Sequence, residues 1–149
     1  EIIHRVLELD VLHLEGGGAA GGMGAGLYAF CGAKLRPGIE IVTDALHLAD
    51  IVADADLVIT GEGRIDSQTI HGKVPVGVAR VAKRYNLPVI AIAGSLTADV
   101  GVVHEHGLDA VFSVIYSICT LDEAREHAAE NVRMPARNVA AVLKMGQVL

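Results

Sequence analysis

The chain has 149 residues, 52% of them hydrophobic and 20% charged, with a mean hydropathy of +0.45. That composition excludes a disordered chain, because enough apolar surface is available to offset the ordering entropy. Net charge is −6 with Lys and Arg spread out, which excludes a basic nucleic-acid footprint, and no apolar run reaches the ~18 residues of a membrane span.

Taken in chain order, Glu1–Asp10 reads as a short helix end and Val11–Leu14 as a brief strand. Gly16–Gly26 is a glycine-rich loop, where much of the chain's 17 glycines cluster. Leu27–Lys34 is expected to be a short helix closed by Pro37-Gly38, Ile39–Val42 an alternating strand, and Ala45–Ala53 a weak amphipathic helix. Beyond these the pattern sharpens. Asp56–Thr60 predicts a buried strand ended by Gly61, and Pro75–Tyr85 a helix with Val78, Val81, Ala82 and Tyr85 along one side. Pro88–Ala93 predicts a second strand ended by Gly94. Asp99–His106 predicts a helix with Gly107 at its C-terminus, and Asp109–Ile115 a third strand. Thr120 and Glu123 form a capping-box pattern opening a last helix, which Pro135 should kink or split.

Strand and helix alternating in this way implies βαβ units on a parallel sheet with helices on both faces. The fold class is therefore α/β: part of a Rossmann-like three-layer αβα sheet, preceded by the end of a second α/β domain, with a boundary at Asp54–Asp56. Three strands of this composition leave apolar edges, so further strands are expected from chain outside this sequence, from a partner, or from the N-terminal third. Glu1 in place of Met suggests that the sequence begins inside a longer protein. Two cysteines without metal-ligand spacing, Cys31 and Cys119, read as small buried residues in a reducing cytoplasm. His104 and His106 lie two apart, which on a helix separates them.

Two stretches carry chemistry. The first is the glycine loop, with G-x-G-x-x-G at Gly16, Gly18 and Gly21. Backbone without Cβ can approach an anion closely, and N–H groups at Gly18, Gly21, Gly22 and Gly24 can form a phosphate- or carboxylate-binding nest. The alternatives are a dinucleotide site, with Glu40 or Asp44 as the ribose acid, or small residues that merely let backbones pack. Gly72-Lys73 is followed by Val74, so it is not a Walker A ending.

The second is Thr60-Gly61-Glu62-Gly63-Arg64-Ile65-Asp66-Ser67-Gln68-Thr69, a polar loop expected beyond a strand's carboxyl end, where open parallel sheets bind ligands. Arg64 can grip phosphate or carboxylate in bidentate fashion. Glu62 or Asp66 can hold Mg²⁺ or accept a proton from a hydroxyl. Ser67 and Thr69 can donate to phosphate oxygens or cap the next helix. A purely structural alternative makes Asp66 or Ser67 an N-cap and Arg64 a partner of Glu62. Gly94-Ser95 opens onto the same edge as a second candidate.

These residues resemble the bacterial type I glycerate kinase family: G-A-A-G-G-M-G-A-G at Gly18–Gly26, L-R-P-G-I-E-I-V at Leu35–Val42, A-D-L-V-I-T-G-E-G-R-I-D-S-Q-T at Ala55–Thr69, H-G-K at His71–Lys73, G-V-A-R at Gly77–Arg80, V-I-A-I-A-G-S at Val89–Ser95 and H-G-L-D-A-V-F-S at His106–Ser113. The resemblance implies ATP-dependent phosphorylation of D-glycerate to a phosphoglycerate, in the cleft of a longer two-domain protein. It makes residues 1–54 the end of an inserted domain and residues 55–149 the second half of a Rossmann-like one. ATP and Mg²⁺ would be the cofactors. The roles it suggests are Asp66 orienting or deprotonating the glycerate hydroxyl, Arg64 and Lys73 offsetting charge, Glu62 in a Mg²⁺ shell, and Gly61, Gly63, Ser67 and Thr69 around the phosphates. The missing N-terminal part of the protein, or a second copy, would complete the site. The loop departs from the family's P-G-A-G by placing Glu15 at the Pro and Gly17 at the Ala. A non-catalytic fragment, an anion-binding module and a dinucleotide-dependent oxidoreductase are the rival readings.

Overall fold

The computed structural model describes residues 1–147. Twelve elements follow in order: α1 (Ile2–Leu7), α2 (Ala19–Cys31), α3 (Gly38–Ala45), α4 (Leu48–Val52), β1 (Val58–Ile65), a 3₁₀ turn (Ser67–Ile70), α5 (Val74–Lys83), β2 (Val89–Leu96), a second 3₁₀ segment (Val100–His106), β3 (Ala110–Ser113), α6 (Leu121–Glu126) and α7 (Ala128–Gly146). The chain divides into two compact units, Glu1–Val42 and Thr43–Leu149. The division falls upstream of Asp54–Asp56 because α4 goes with the second unit: Val52 is buried in its core.

The first unit is helical and irregular. Val11–Leu14 is a turn rather than a strand, since the Asp10 carboxylate accepts the Leu12 N–H at 2.9 Å and locks the chain locally. In α2, Ala20, Gly21 and Gly22 lie at φ 51°, 69° and 96°, so regular helix starts at Met23. It ends at Cys31 rather than Lys34 because Gly32 takes the left-handed cap conformation, φ 62°, and its N–H donates to the Tyr28 carbonyl. Ile39–Val42 is helix rather than strand. The Pro37 carbonyl accepts from the Glu40 and Ile41 N–H groups and so begins α3.

The second unit holds a three-stranded parallel sheet in the order β1-β2-β3. Val58 pairs with Val89 and Ile65 with Leu96, while Ile90 pairs with Ala110 and Ala93 with Ser113. Among the described residues, the N-terminal third adds no strand. Helix α5 packs on β1 and β2, and α7 on β2. Pro75 occupies the first turn of α5, where its missing N–H costs nothing. The buried side of α5 runs through Val76, Ala79, Val81 and Ala82; Val78 is half-buried, and Tyr85 lies beyond the helix end and is exposed. Alternation puts Val89, Ala91 and Ala93 in a core with Ala79, Ala82, Val103 and Leu108. Fully burying a Val or Leu side chain there contributes roughly 1.5–3 kcal/mol.

Both β1 and β2 run past the glycines expected to end them. A Cβ on Gly61 would stand 2.2 Å from the Ile92 carbonyl oxygen, and one on Gly94 would stand 2.4 Å from that of Gly63. These glycines let the strand backbones approach; they do not break them. Coverage of the sheet is incomplete, with Ile59 of β1 55% exposed. Of the expected helix Asp99–His106, Val100–His106 forms 3₁₀ helix rather than α-helix, with Asp99 just before it, and Gly107 closes it at φ 95°. The Thr120–Glu123 capping box is present. The C-terminal stretch breaks at His127, where φ −97° and ψ 19° leave the helical region, and α7 then runs on through buried Pro135. Cys31 and Cys119 are exposed rather than buried, since neither enters a packed face. No helix among the described residues is long and apolar enough to cross a membrane.

Candidate functional site

In the second unit β1 delivers Glu62 and Arg64 in extended conformation, and the chain then turns sharply at Asp66. The turn is built by reciprocal capping. The Asp66 carboxylate accepts the Gln68 N–H at 3.0 Å, and the Thr69 hydroxyl accepts the Asp66 N–H at 3.1 Å. That hydroxyl donates to Glu62 Oε1 at 2.9 Å, so buried Thr69 ties the end of β1 to the turn. Such pairing is what a buried hydroxyl requires.

Two cations meet on Asp66. Lys73 Nζ lies 3.1 Å from Oδ1 and Arg64 Nε 3.4 Å from Oδ2. Arg64 therefore partners Asp66, not Glu62. The bond from Lys73 is the main reason that the Asp66 carboxyl titrates below its ordinary 3.8, with the Lys73 charge, the Gln68 N–H and Arg64 adding to it. Asp66 is thus an ionised acceptor and a poor proton acceptor at neutral pH. The N-cap reading of Asp66 also holds, because the same carboxylate caps the turn and collects the two cations.

A second carboxylate adjoins this turn. The Asp99 carboxylate accepts from the Ser67 N–H at 3.4 Å and from the Thr97 hydroxyl. Hydrogen bonds from Ser67 and Thr97 lower it to about 2. The sequence reading does not single out Asp99 as a site residue; its signal is T-A-D at Thr97–Asp99, one residue past the Gly94-Ser95 edge. Among the described residues, no group of three or more His, Cys, Asp and Glu side chains could hold a metal.

A groove of about 620 Å³ lies along the carboxyl ends of β1 and β2, with Glu62, Gly63, Gly94 and Ser95 in its lining. The second unit thus brings Gly63, Gly94 and Ser95 to one groove, and Asp66, Thr69 and Lys73 to one hydrogen-bonded cluster with Arg64 ion-paired to it, Glu62 belonging to both.

The glycine loop belongs to the first unit. Of its expected anion donors, the Gly22 N–H is spent on the Gly18 carbonyl; the neighbouring Gly17, Ala19 and Ala25 N–H groups donate to carbonyls at Leu14, Gly16 and Gly17. Gly17 and Gly24 serve packing, since Cβ atoms there would stand 2.9 Å from the Leu14 carbonyl oxygen and 2.6 Å from that of Gly16. Gly18, Gly21 and Gly22 face open space within 4 Å. A dinucleotide fingerprint requires a strand before the loop, and the turn at Val11–Leu14 takes its place.

Comparison with known proteins agrees with this sequence over nearly its full length. The glycerate kinase family matches residues 1–144. Glycerate 2-kinase of Escherichia coli K12 is 64% identical over 146 residues, 98% of this chain and 38% of that protein. Glycerate kinase of Bacillus subtilis 168 is 53% identical over 135 residues, covering 91% of this chain and 35% of that one. A crystal structure of a Salmonella typhimurium LT2 protein, provisionally described as glycerate kinase 2, superposes with TM-score 0.75 at 75% identity. It covers 99% of this chain and 38% of its own. The chain thus spans little more than a third of the length of these relatives.

Proposed function

Because this chain belongs to the glycerate kinase family, we propose that it supplies part of a centre for ATP-dependent phosphoryl transfer to D-glycerate. The observation that carries the reading is the Arg64–Asp66–Lys73 cluster at the carboxyl end of β1, held by Thr69 and Glu62. Phosphoryl transfer asks a protein mainly for positioning and for offsetting charge. In the reaction the glycerate hydroxyl oxygen forms a bond to the γ-phosphorus, the bond from that phosphorus to the ADP oxygen breaks with ADP as leaving group, and the hydroxyl proton passes to solvent water. Lys73 and Arg64 face the transferred group or the substrate carboxylate. Asp66, ionised and already paired with both, orients them; of its two expected roles the orienting one suits its lowered pKa. Gly61, Gly63 and the Ser67 and Thr69 turn line the approach of the phosphates, and in the first unit Gly18 and Gly21, which face open space, bring backbone toward an anion.

Magnesium sites beside phosphates commonly take one or two carboxylates and fill the rest with water and phosphate oxygens. Glu62 fits the carboxylate part, since the Thr69 hydroxyl fixes one of its oxygens and leaves the other for a ligand. Bound Mg²⁺ would supply charge neutralisation on the phosphates. The name of the E. coli relative favours the C2 hydroxyl as acceptor. On the family pattern, residues 1–54 close an inserted domain, residues 55–149 complete a Rossmann-like one, and the remainder of a family-length protein completes the site. Two exposed thiols suit the reducing cytoplasm, where we place the activity.

The test is titration of the chain with Mg·ATP, D-glycerate and NAD in turn, followed by calorimetry or NMR. Binding of ATP or glycerate is the expected result. NAD binding alone would support an oxidoreductase, and silence with all three would support a non-catalytic fragment.

A further inference from the structure

The groove at the end of β1 and β2 differs in character from the ionic cluster beside it. Gly63, Ile92 and Gly94 line it from the strands, Ile115 from the segment after β3, and Leu121 and Val132 from α6 and α7. The strand side is bare backbone at two points: neither glycine raises a side chain, and Gly94 could not, because a Cβ there would stand 2.4 Å from the Gly63 carbonyl oxygen. Ser95, Thr120 and Arg125 add a few polar groups. Apolar walls with sparse polar groups and a volume of roughly 300–1,000 Å³ are the usual make-up of a small-molecule site. At about 620 Å³ this groove falls within that range.

Glycerate is a poor occupant. It is a small anion whose every carbon bears oxygen, and apolar walls would strip its water without replacing it. A nucleoside suits the groove better, since a planar base presents apolar faces and its edge and ribose hydroxyls need only a few partners. Glu62 also lines the groove, and its carboxylate is bonded to Thr69, whose hydroxyl accepts from Asp66, which holds Lys73 at 3.1 Å. Groove and ionic cluster are therefore joined by hydrogen bonds inside one unit. Gly63 and Asp66 lie three residue steps apart along extended chain, roughly 10 Å, a span that a triphosphate chain can cover.

We infer that this groove seats the adenosine moiety of ATP, so that the phosphates emerge beside Glu62 and run toward Lys73 and Arg64. The inference rests on the kinase reading and adds to it where the nucleotide lies.

Cys119 lines the groove and is exposed, which makes it a reporter that does not depend on catalysis. In the Cys31→Ser chain, the reaction of Cys119 with an aromatic disulfide reagent is timed with adenosine, ADP, ATP or inorganic tripolyphosphate present. Adenosine, ADP and ATP at about ten times their Kd should each slow the reaction roughly tenfold, and tripolyphosphate should not. Ala128→Phe, at an exposed position in the lining, should abolish the slowing by adenosine while circular dichroism stays unchanged. Protection by tripolyphosphate but not by adenosine would overturn the inference. So would unprotected labelling in a chain that calorimetry shows to bind Mg·ATP, and that result would leave the kinase reading standing. Absence of Mg·ATP binding both in the chain and in a family-length protein carrying it would overturn both.

Discussion

Substituting Gly94 by Ala tests whether the close approach of β1 and β2 is what the fold uses at this edge. The added Cβ would lie 2.4 Å from the Gly63 carbonyl oxygen and 3.2 Å from its carbonyl carbon, whereas real Cβ contacts stay beyond 3.0 Å. Backbone, not a flexible side-chain tip, must therefore move by about 0.6 Å (3.0 minus 2.4). Overpacking of this kind costs ~1–3 kcal/mol. A shift of that size also stretches neighbouring ladder hydrogen bonds, each with a net value of ~1 kcal/mol. Against this, Ala restricts the unfolded chain and returns about 0.4–1 kcal/mol. The net expectation is a loss of roughly 1–3 kcal/mol in urea unfolding monitored by circular dichroism. Gly63→Ala is the internal control, because a Cβ there meets nothing within 4 Å. Equal stability of Gly94→Ala and wild type, or an equal loss in Gly63→Ala, would refute the reasoning.

Other consequences follow from named contacts. Asp99 titrates near 2 in the folded chain against an ordinary 3.8, so its contribution is complete above 3.8 and disappears as pH falls toward 2. Denaturant midpoints measured across that window should fall less steeply for Asp99→Asn than for wild type. Thr120→Ala removes a hydroxyl that bonds the Glu123 N–H and carboxylate, and should cost ~0.5–2 kcal/mol of stability in the same assay. Lys83 Nζ lies 2.6 Å from the Asp109 carboxylate, which also accepts the Val89 N–H. Both side chains are substantially exposed, so Lys83→Met should cost at most ~1 kcal/mol, and less at high salt.

The long apolar runs were legible from sequence because their type does not hinge on a single residue. Val89–Ala93 is strand under either reading of Gly94, and Thr120 with Glu123 signalled α6 through side-chain chemistry that acts locally. Ile39–Val42 is ambiguous in sequence because four residues of I-E-I-V satisfy a period of two and, through Ile39 and Val42, a helical spacing of three. What decides the matter is the Pro37 carbonyl, which starts the helix. Gly61 and Gly94 look like terminators until the neighbouring strand is present, since their reason for being glycine is a carbonyl about 30 residues away in sequence. The polar string at Thr60–Thr69 was recognisable as a site, but not its wiring. Thr69 bridging Glu62 and Asp66, and Asp99 arriving beneath Ser67, depend on tertiary placement that no local pattern encodes.

The ionic cluster as a phosphoryl-transfer device is tested most directly by Lys73→Met in a family-length glycerate kinase carrying this segment. The readout is ATP-dependent formation of phosphoglycerate from D-glycerate, followed by phosphorus NMR. Lys73 is 37% exposed, so its loss should change unfolding stability by less than ~1 kcal/mol. Turnover should fall by roughly 10²–10³-fold, as when a charge-stabilising donor is removed from an active centre. A stable Lys73→Met protein that phosphorylates glycerate at the wild-type rate would contradict the account.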